Sequence, residues 1–178
     1  MTPFAPRNPT ILVVRHAEPA VSPAVDPNAW QLSEAGRDAA TQLGQRLPRD
    51  GRWVASTERK AYETLLYVGH SSVTVRQDSR FDEVRRNEPF DDDFKTRRRA
   101  WVEGRLDVRH SGWESPHEAA ERFEDAVHDH SADAEYLVVG THGMVLTAWL
   151  LHARQQLEPS EAGSFWEHMT FPDIIRVS

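Results

Sequence analysis

Two histidines stand at the carboxyl ends of apolar runs, and an arginine precedes the first of them. Ile11-Leu12-Val13-Val14 leads into Arg15-His16, and Tyr136-Leu137-Val138-Val139-Gly140-Thr141 leads into His142-Gly143. A neutral imidazole is a nucleophile. A guanidinium beside it offsets the repulsion that an anionic phosphorus centre would otherwise present. Either histidine taken alone is adequately explained by a polar turn or a helix start. Together they say more, because open α/β sheets gather their ligands at the carboxyl edge of the strands. If these two strands are neighbours in one parallel sheet, both imidazoles enter the same crevice.

Placing them there requires strands and helices in alternation, and the chain supplies both. Ser33 can cap a helix whose apolar positions Ala35, Ala39, Leu43 and Leu47 keep helical spacing up to Pro48. Trp53-Val54-Ala55 reads as a short strand, followed by a helix that starts at Ser56 or Thr57 and buries Ala61, Leu65 and Val68. Val73 to Val75 can form another strand. Ser115-Pro116-His117-Glu118 combines a capping serine, a first-turn proline and a glutamate three residues on, which opens a helix burying Ala119, Phe123 and Val127. Met144 to Leu151 is apolar nearly all round, as a helix buried against a sheet would be. Ser164 to Phe171 and Ile174 to Val177 read as a closing hairpin around Pro172-Asp173. The alternation predicts a three-layer α/β/α sandwich with a mainly parallel central sheet, in a single domain spanning 1–178.

The stretch 83–112 interrupts this pattern with dense charge, including Asp91-Asp92-Asp93 and Arg97-Arg98-Arg99. It reads either as an ordinary solvated helix or as a small helical lid insertion whose arginines help recruit an anionic substrate. The neighbouring aspartates cancel much of the long-range field of the arginines.

Five segments in order give the chain a resemblance to the histidine phosphatase superfamily, the phosphoglycerate mutase-like group. Arg15-His16-Ala17-Glu18 resembles that family's Arg-His-Gly-Glu signature, with alanine in place of glycine. Leu32-Ser33-Glu34-Ala35-Gly36-Arg37 resembles its Leu-Thr-x-x-Gly-x motif, and Ser56 to Thr64 its Ser-x-x-x-Arg-Ala-x-x-Thr segment. Phe81-Asp82-Glu83 resembles Leu-x-Glu, and Gly140-Thr141-His142-Gly143 the second histidine motif.

The resemblance implies His16 as the nucleophile that becomes a phosphohistidine. It implies Arg15 and His142 as binders of the phosphoryl oxygens, and Glu83 as general acid and base, a role that needs a raised pKa. The family's third cation is an arginine at the position of Lys60, while Arg59 sits one residue early. Adjacent helical positions point ~100° apart, so one of the two faces the pocket, and the register favours Lys60. Ser22 falls where relatives often carry a phosphate-contacting asparagine. The implied activity is a metal-independent phosphatase that hydrolyses a small phosphorylated metabolite. Phosphoglycerate mutase-type transfer and a non-catalytic phosphate-binding protein of the same fold are the alternatives.

Composition bounds the remaining possibilities. A formal charge of −7 argues against general binding of nucleic acid or anionic membrane. No window approaches the ~18 apolar residues of a membrane span, and Met1 to Pro9 lacks the apolar core of a secretory signal, so a cytoplasmic location fits. Cysteine is absent, which removes thiolate catalysis and thiolate metal sites. The nine histidines include no His-Glu-x-x-His, and neither a metal nor a cofactor is expected.

Overall fold

Alternating apolar residues on the central strands face two different layers of helix, and this decides the architecture. The computed structural model describes residues 9–69 and 73–177, so most of the amino-terminal stretch read above for a secretory signal lies outside the described residues. Strands β1 (Thr10–Arg15), β2 (Arg52–Ala55), β3 (Val75–Gln77), β4 (Tyr136–Thr141) and β5 (Asp173–Val177) form one sheet in the order β3-β2-β4-β1-β5. All neighbours are parallel except β5, which runs antiparallel to β1. Ile11 and Val13 of β1, Val54 of β2 and Leu137 and Val139 of β4 point into the larger core. Val14, Trp53, Ala55 and Val138 point into the smaller one on the other face.

Helices α1 (Glu34–Leu43) and α2 (Arg59–Tyr67) cover the smaller core. Helices α4 (Pro116–Ser131) and α5 (Gly143–Ala148) cover the larger one, with α3 (Phe94–Val102) and α6 (Ala162–His168) packed outside α5. This is a single α/β domain with a mostly parallel sheet between helical layers. Ser115 and Glu118 form the reciprocal cap expected at the start of α4. At Gly140 the α2 side chains come so close that a Cβ would meet Leu65 Cγ at 2.8 Å. Only a residue without a side chain lets that helix settle on β4 there.

Three elements differ from the sequence reading. Ser164 to Phe171 is not a strand: Ala162 to His168 is helical, with Ala162, Trp166 and Met169 buried at helical spacing, and only β5 joins the sheet. The aromatic residues there supplied strand propensity, and packing against α3 and α5 overrode it. The third strand lies at Val75–Gln77, later than expected. The helix after His142 passes into a π-helical turn at Trp149–Ala153.

The 83–112 segment is anchored rather than merely solvated. Trp101 is fully buried and its Nε1 donates to the Glu114 carbonyl at 2.8 Å. The arginine triplet splits three ways. Buried Arg97 pairs with Asp91 at 2.9 Å, Arg98 pairs with Glu88 at 2.7 Å, and Arg99 pairs with Glu103 and Glu167.

The loop from Glu18 to Ser33 is held at both ends. Ser33 N donates to the Glu18 carbonyl at 2.9 Å, and the Ser33 hydroxyl accepts from Gly36 N at 2.9 Å to cap α1. A Cβ on Gly36 would lie inside the van der Waals envelope of the Glu18 carbonyl oxygen. Gly36→Ala therefore has to push the loop off the helix. We expect it to lower stability by about 1–3 kcal/mol, as overpacking against a rigid backbone does, measured by urea unfolding against wild type.

Candidate active site

Arg15 of β1 lies opposite Thr141 of β4, so the next residue on each strand is a histidine at the same sheet edge. The His16 and His142 rings stand 5.1 Å apart between centroids, tilted by 59°. His16 Nδ1 lies 2.8 Å from the Ala17 carbonyl, which can only accept, so the proton sits on Nδ1 and Nε2 keeps its lone pair. The Ala17 amide is fixed in turn by Thr64 Oγ1 at 2.9 Å, on α2. Burial, then His142 and Lys60, pushes the His16 pKa well below its usual value, which keeps the ring neutral.

His142 is fully buried, and a hub at Ser56 orients it. The Ser56 hydroxyl donates to Asp82 Oδ1 at 2.6 Å, which leaves its oxygen to accept from His142 Nε2 at 2.9 Å and from Glu58 N at 3.0 Å. The proton of neutral His142 is therefore on Nε2, and Nδ1 is buried with no hydrogen-bond partner. Burial and the charge of Lys60 lower its pKa strongly as well.

Arg15 donates through Nη1 to the Met169 carbonyl at 2.6 Å, and its guanidinium carbon sits 3.6 Å from the centre of the Phe171 ring. The Phe171 ring also lies against His16, at 5.3 Å between centroids. Arg15 Nε is buried without a partner. Burial lowers the Arg15 pKa to about 10, so it remains a cation at neutral pH.

Lys60 and Arg59 part company on the first turn of α2. Lys60 is 6% exposed, donates to the Pro27 carbonyl at 2.9 Å and forms an ion pair with Glu58, close enough that its charge depresses both imidazoles. Arg59 lies at the surface and pairs with Glu63 at 2.6 Å. Ser22 lines a cleft of about 330 Å³ with Val21, Val25, Trp30 and Arg59, a cleft to which none of Arg15, His16, Lys60, Glu83 or His142 contributes. The group of Ser22 that is engaged is its carbonyl, which accepts from Trp30 Nε1 at 3.1 Å. The loop bends back on its tryptophan, and this bend turns Ser22 into the cleft.

Glu83 is seated at the start of α5, where its carboxylate accepts from Val145 N at 2.9 Å and Met144 N at 3.2 Å, and from its neighbour Val84 N at 3.0 Å. Burial pushes its pKa up, but the neighbouring His142 ring, the charge of Arg86 and the Val84 N–H outweigh burial, and the net direction is down. The raised pKa expected from the sequence is therefore corrected. Two N–H groups at a helix start and that of Val84 favour the carboxylate, and Glu83 is ionised in the free site. Arg122 of α4 braces this corner from behind, donating to the carbonyls of Arg80, Asp82 and Glu83 at 2.6, 2.9 and 3.2 Å while pairing with Glu114.

Sequence reasoning missed Ser56, Glu58, Asp82, Arg122 and Phe171 as parts of this corner. Ser56 was legible as a helix start and as the serine of the Ser-x-x-x-Arg-Ala-x-x-Thr segment, but not as the partner of His142. The others come from segments that meet in space alone. Among the described residues no three His, Cys, Asp or Glu side chains gather as a metal-binding group.

A profile of the Histidine phosphatase superfamily (branch 1) matches residues 11–170. The chain belongs to this superfamily. No curated protein matches it by sequence. Among solved structures, this histidine phosphatase is similar to Mycobacterial hydrolase 1, at 25% identity and TM-score 0.66 over 89% of this chain and 86% of that one. It is also similar to a mycobacterial glucosyl-3-phosphoglycerate phosphatase complexed with VO3, at 25% identity and TM-score 0.66 over 88% and 86%. A mutant phosphoserine phosphatase from Entamoeba histolytica in complex with phosphoserine shares the fold at 14% identity and TM-score 0.63, over 87% and 84%. No helix among the described residues is long and apolar enough to cross a membrane.

Both Arg15 and Lys60 act on His16, and Lys60 on His142 as well. Lys60→Met should weaken inorganic phosphate binding by about tenfold or more, because it removes a cation and leaves a buried carboxylate unopposed. Arg59→Met should change binding less than about twofold, as an exposed ion pair does. Equilibrium titration with phosphate distinguishes the two; an equal loss would place Arg59 in the pocket.

Proposed function

We propose that the protein is a phosphomonoester hydrolase acting through a phosphohistidine at His16 Nε2, on a small phosphorylated metabolite. The observation that carries this reading is the His16 Nδ1–H to Ala17 carbonyl bond, which leaves a neutral nitrogen lone pair near a buried donor without a partner, Arg15 Nε, and near His142 Nδ1, which becomes a donor once that ring is protonated. A phosphoryl group brings the acceptor oxygens such donors need. The phosphatases among the similar solved structures support the same class of activity.

Each residue then has a task. His16 Nε2 attacks phosphorus, the bond to the leaving oxygen breaks, and the phosphoryl group rests on the imidazole. Arg15 and Lys60 hold its oxygens and offset the charge that moves onto them. Glu83, ionised in the free site, is suited to take a proton from the water that then attacks the phosphohistidine, releasing phosphate and restoring His16. The proton for the leaving alkoxide arrives with the substrate, on its phosphate or on Glu83 once the anion has raised the pKa of that carboxyl. The 83–112 segment acts as a lid. The charges of Arg86 and Arg98 reach Glu83, and that of Arg98 reaches Arg15. Small acidic metabolites are the favoured substrate class.

His142 sets the pH dependence. In the free site its pocket-facing Nδ1 carries no proton and offers a lone pair to an anion, which is repulsive. A bound phosphate dianion raises the His142 pKa, and the ring becomes a cation that donates from Nδ1. Binding of the dianion therefore takes up a proton, and affinity falls as pH rises. Calorimetry at a pH near 8, above the ~6 second pKa of a phosphomonoester, in buffers of different ionisation enthalpy should show uptake of about one proton per phosphate. Zero uptake would remove His142 as the donor.

The activity itself is tested by phosphate release from an aryl phosphate with chelator present. Wild type should turn over, and His16→Ala should lose on the order of 10³-fold or more of kcat. Turnover that survives in His16→Ala would refute the phosphohistidine, and turnover lost on chelation would refute the metal-free route.

A further inference from the structure

Glu58 is a buried charge that the proposed reaction does not use. Its side chain and that of Lys60 are 7% and 8% exposed, and the two form an ion pair. The other carboxylate oxygen, Oε1, accepts from Glu83 N at 2.8 Å and lies 3.7 Å from His142 Nε2. Glu58 thus touches the third cation, the backbone of the proposed proton carrier and the edge of the second histidine. It is held there by the bond from its own amide to Ser56 Oγ.

This placement alters what Lys60 can do. An ammonium has three N–H donors, and Lys60 commits one to Glu58 and one to the Pro27 carbonyl. One remains for a phosphoryl oxygen. Beside the histidine pair the cation Lys60 is opposed by Glu58, while Arg86 and Arg122, which also act on His142, are paired with Glu88 and Glu114. A pocket for a dianion that needed only affinity would carry an excess of positive charge. Here a carboxylate is placed where it offsets the cation.

We propose that Glu58 is an affinity-setting residue, which rests on the phosphatase reading above. Its carboxylate shares Lys60 with the phosphoryl group and so weakens the hold on phosphate, which favours release of inorganic phosphate after turnover. Discrimination follows from the same sharing: an anion draws Lys60 away from Glu58 only if its own charge is high, so weakly charged anions compete poorly.

The test is equilibrium binding of inorganic phosphate by the intact protein, together with the rise in Tm that phosphate produces. Glu58→Gln keeps an oxygen for Glu83 N and removes the charge. We expect it to bind phosphate about tenfold more tightly than wild type and to show the larger phosphate-induced rise in Tm, even where its own Tm is lower. If Glu58 only ties Glu83 in place, the same variant loses stability and binds phosphate no more tightly, and the proposal is overturned.

A second comparison covers a Glu58→Gln variant that fails to fold. Glu58→Asp keeps the buried charge but draws the carboxylate back from Lys60, so it should bind phosphate several-fold more tightly than wild type. Equal or weaker binding by Glu58→Asp overturns the proposal. Failure of wild type to bind phosphate at all would instead strike the phosphatase reading itself, and this inference with it.

Discussion

The parallel register between β1 and β4 is the constraint from which the active corner follows. Six consecutive residue pairs align Thr10 with Tyr136 through Arg15 with Thr141. A slip of one residue would move every β4 side chain to the opposite face of the sheet, exchanging Val138 with its neighbours between two cores of different shape. Burial on both faces therefore holds the register, and the register holds two imidazoles 5.1 Å apart. Hydrogen bonds from β4 to neighbouring segments extend this order: Ser56 N donates to the Gly140 carbonyl at 2.8 Å, and Thr141 Oγ1 to the Phe81 carbonyl at 2.7 Å. Ser56 and Glu83 are thus hung from the same strand that carries His142.

Charge in this corner is arranged in small neutral sets rather than as a basic patch. The chain carries a net −7, so a broad positive field was never available to attract an anion. What the fold supplies instead is local polar atoms without partners: a buried guanidinium N–H and a buried imidazole nitrogen that donates only when protonated. Arginines of the 83–112 segment follow the same habit, paired with carboxylates of that region, Glu88 among them serving both Arg86 and Arg98. Such an arrangement keeps long-range repulsion and attraction small, and selectivity falls to groups within hydrogen-bonding reach.

Much of the fold and the histidine pair were legible in the sequence because they depend on local patterns. Apolar runs ending in a polar residue mark strand ends, and Ser115 to Glu118 announces its helix by side-chain caps alone. The distinction between Lys60 and Arg59 was legible because helix geometry turns neighbouring residues apart. Glu58, Asp82 and Arg122 were not legible, because their meaning lies in partners 25 to 42 positions away. Ser164 to Phe171 misled because aromatic residues suit strands and buried helices equally, and only contact with α3 and α5 decides. Ser22 was placed by analogy with relatives, and in the fold its carbonyl is held by Trp30 while the residue lines a cleft beside Arg59.

The grip on Arg15 by Met169 and Phe171 has a consequence for how the site comes into being. The bond between Arg15 and the Met169 carbonyl spans 154 positions of sequence. A contact of that range is costly to close and forms late. During synthesis at roughly 5–20 residues per second, the first strand and its histidine leave the ribosome many seconds before the segment that fixes the guanidinium. Over that interval His16 exists without its oriented guanidinium. On the proposed reading, chemical competence therefore waits for the segment around Met169 and Phe171, and a chain made only as far as β1 has little means of attacking a phosphate ester.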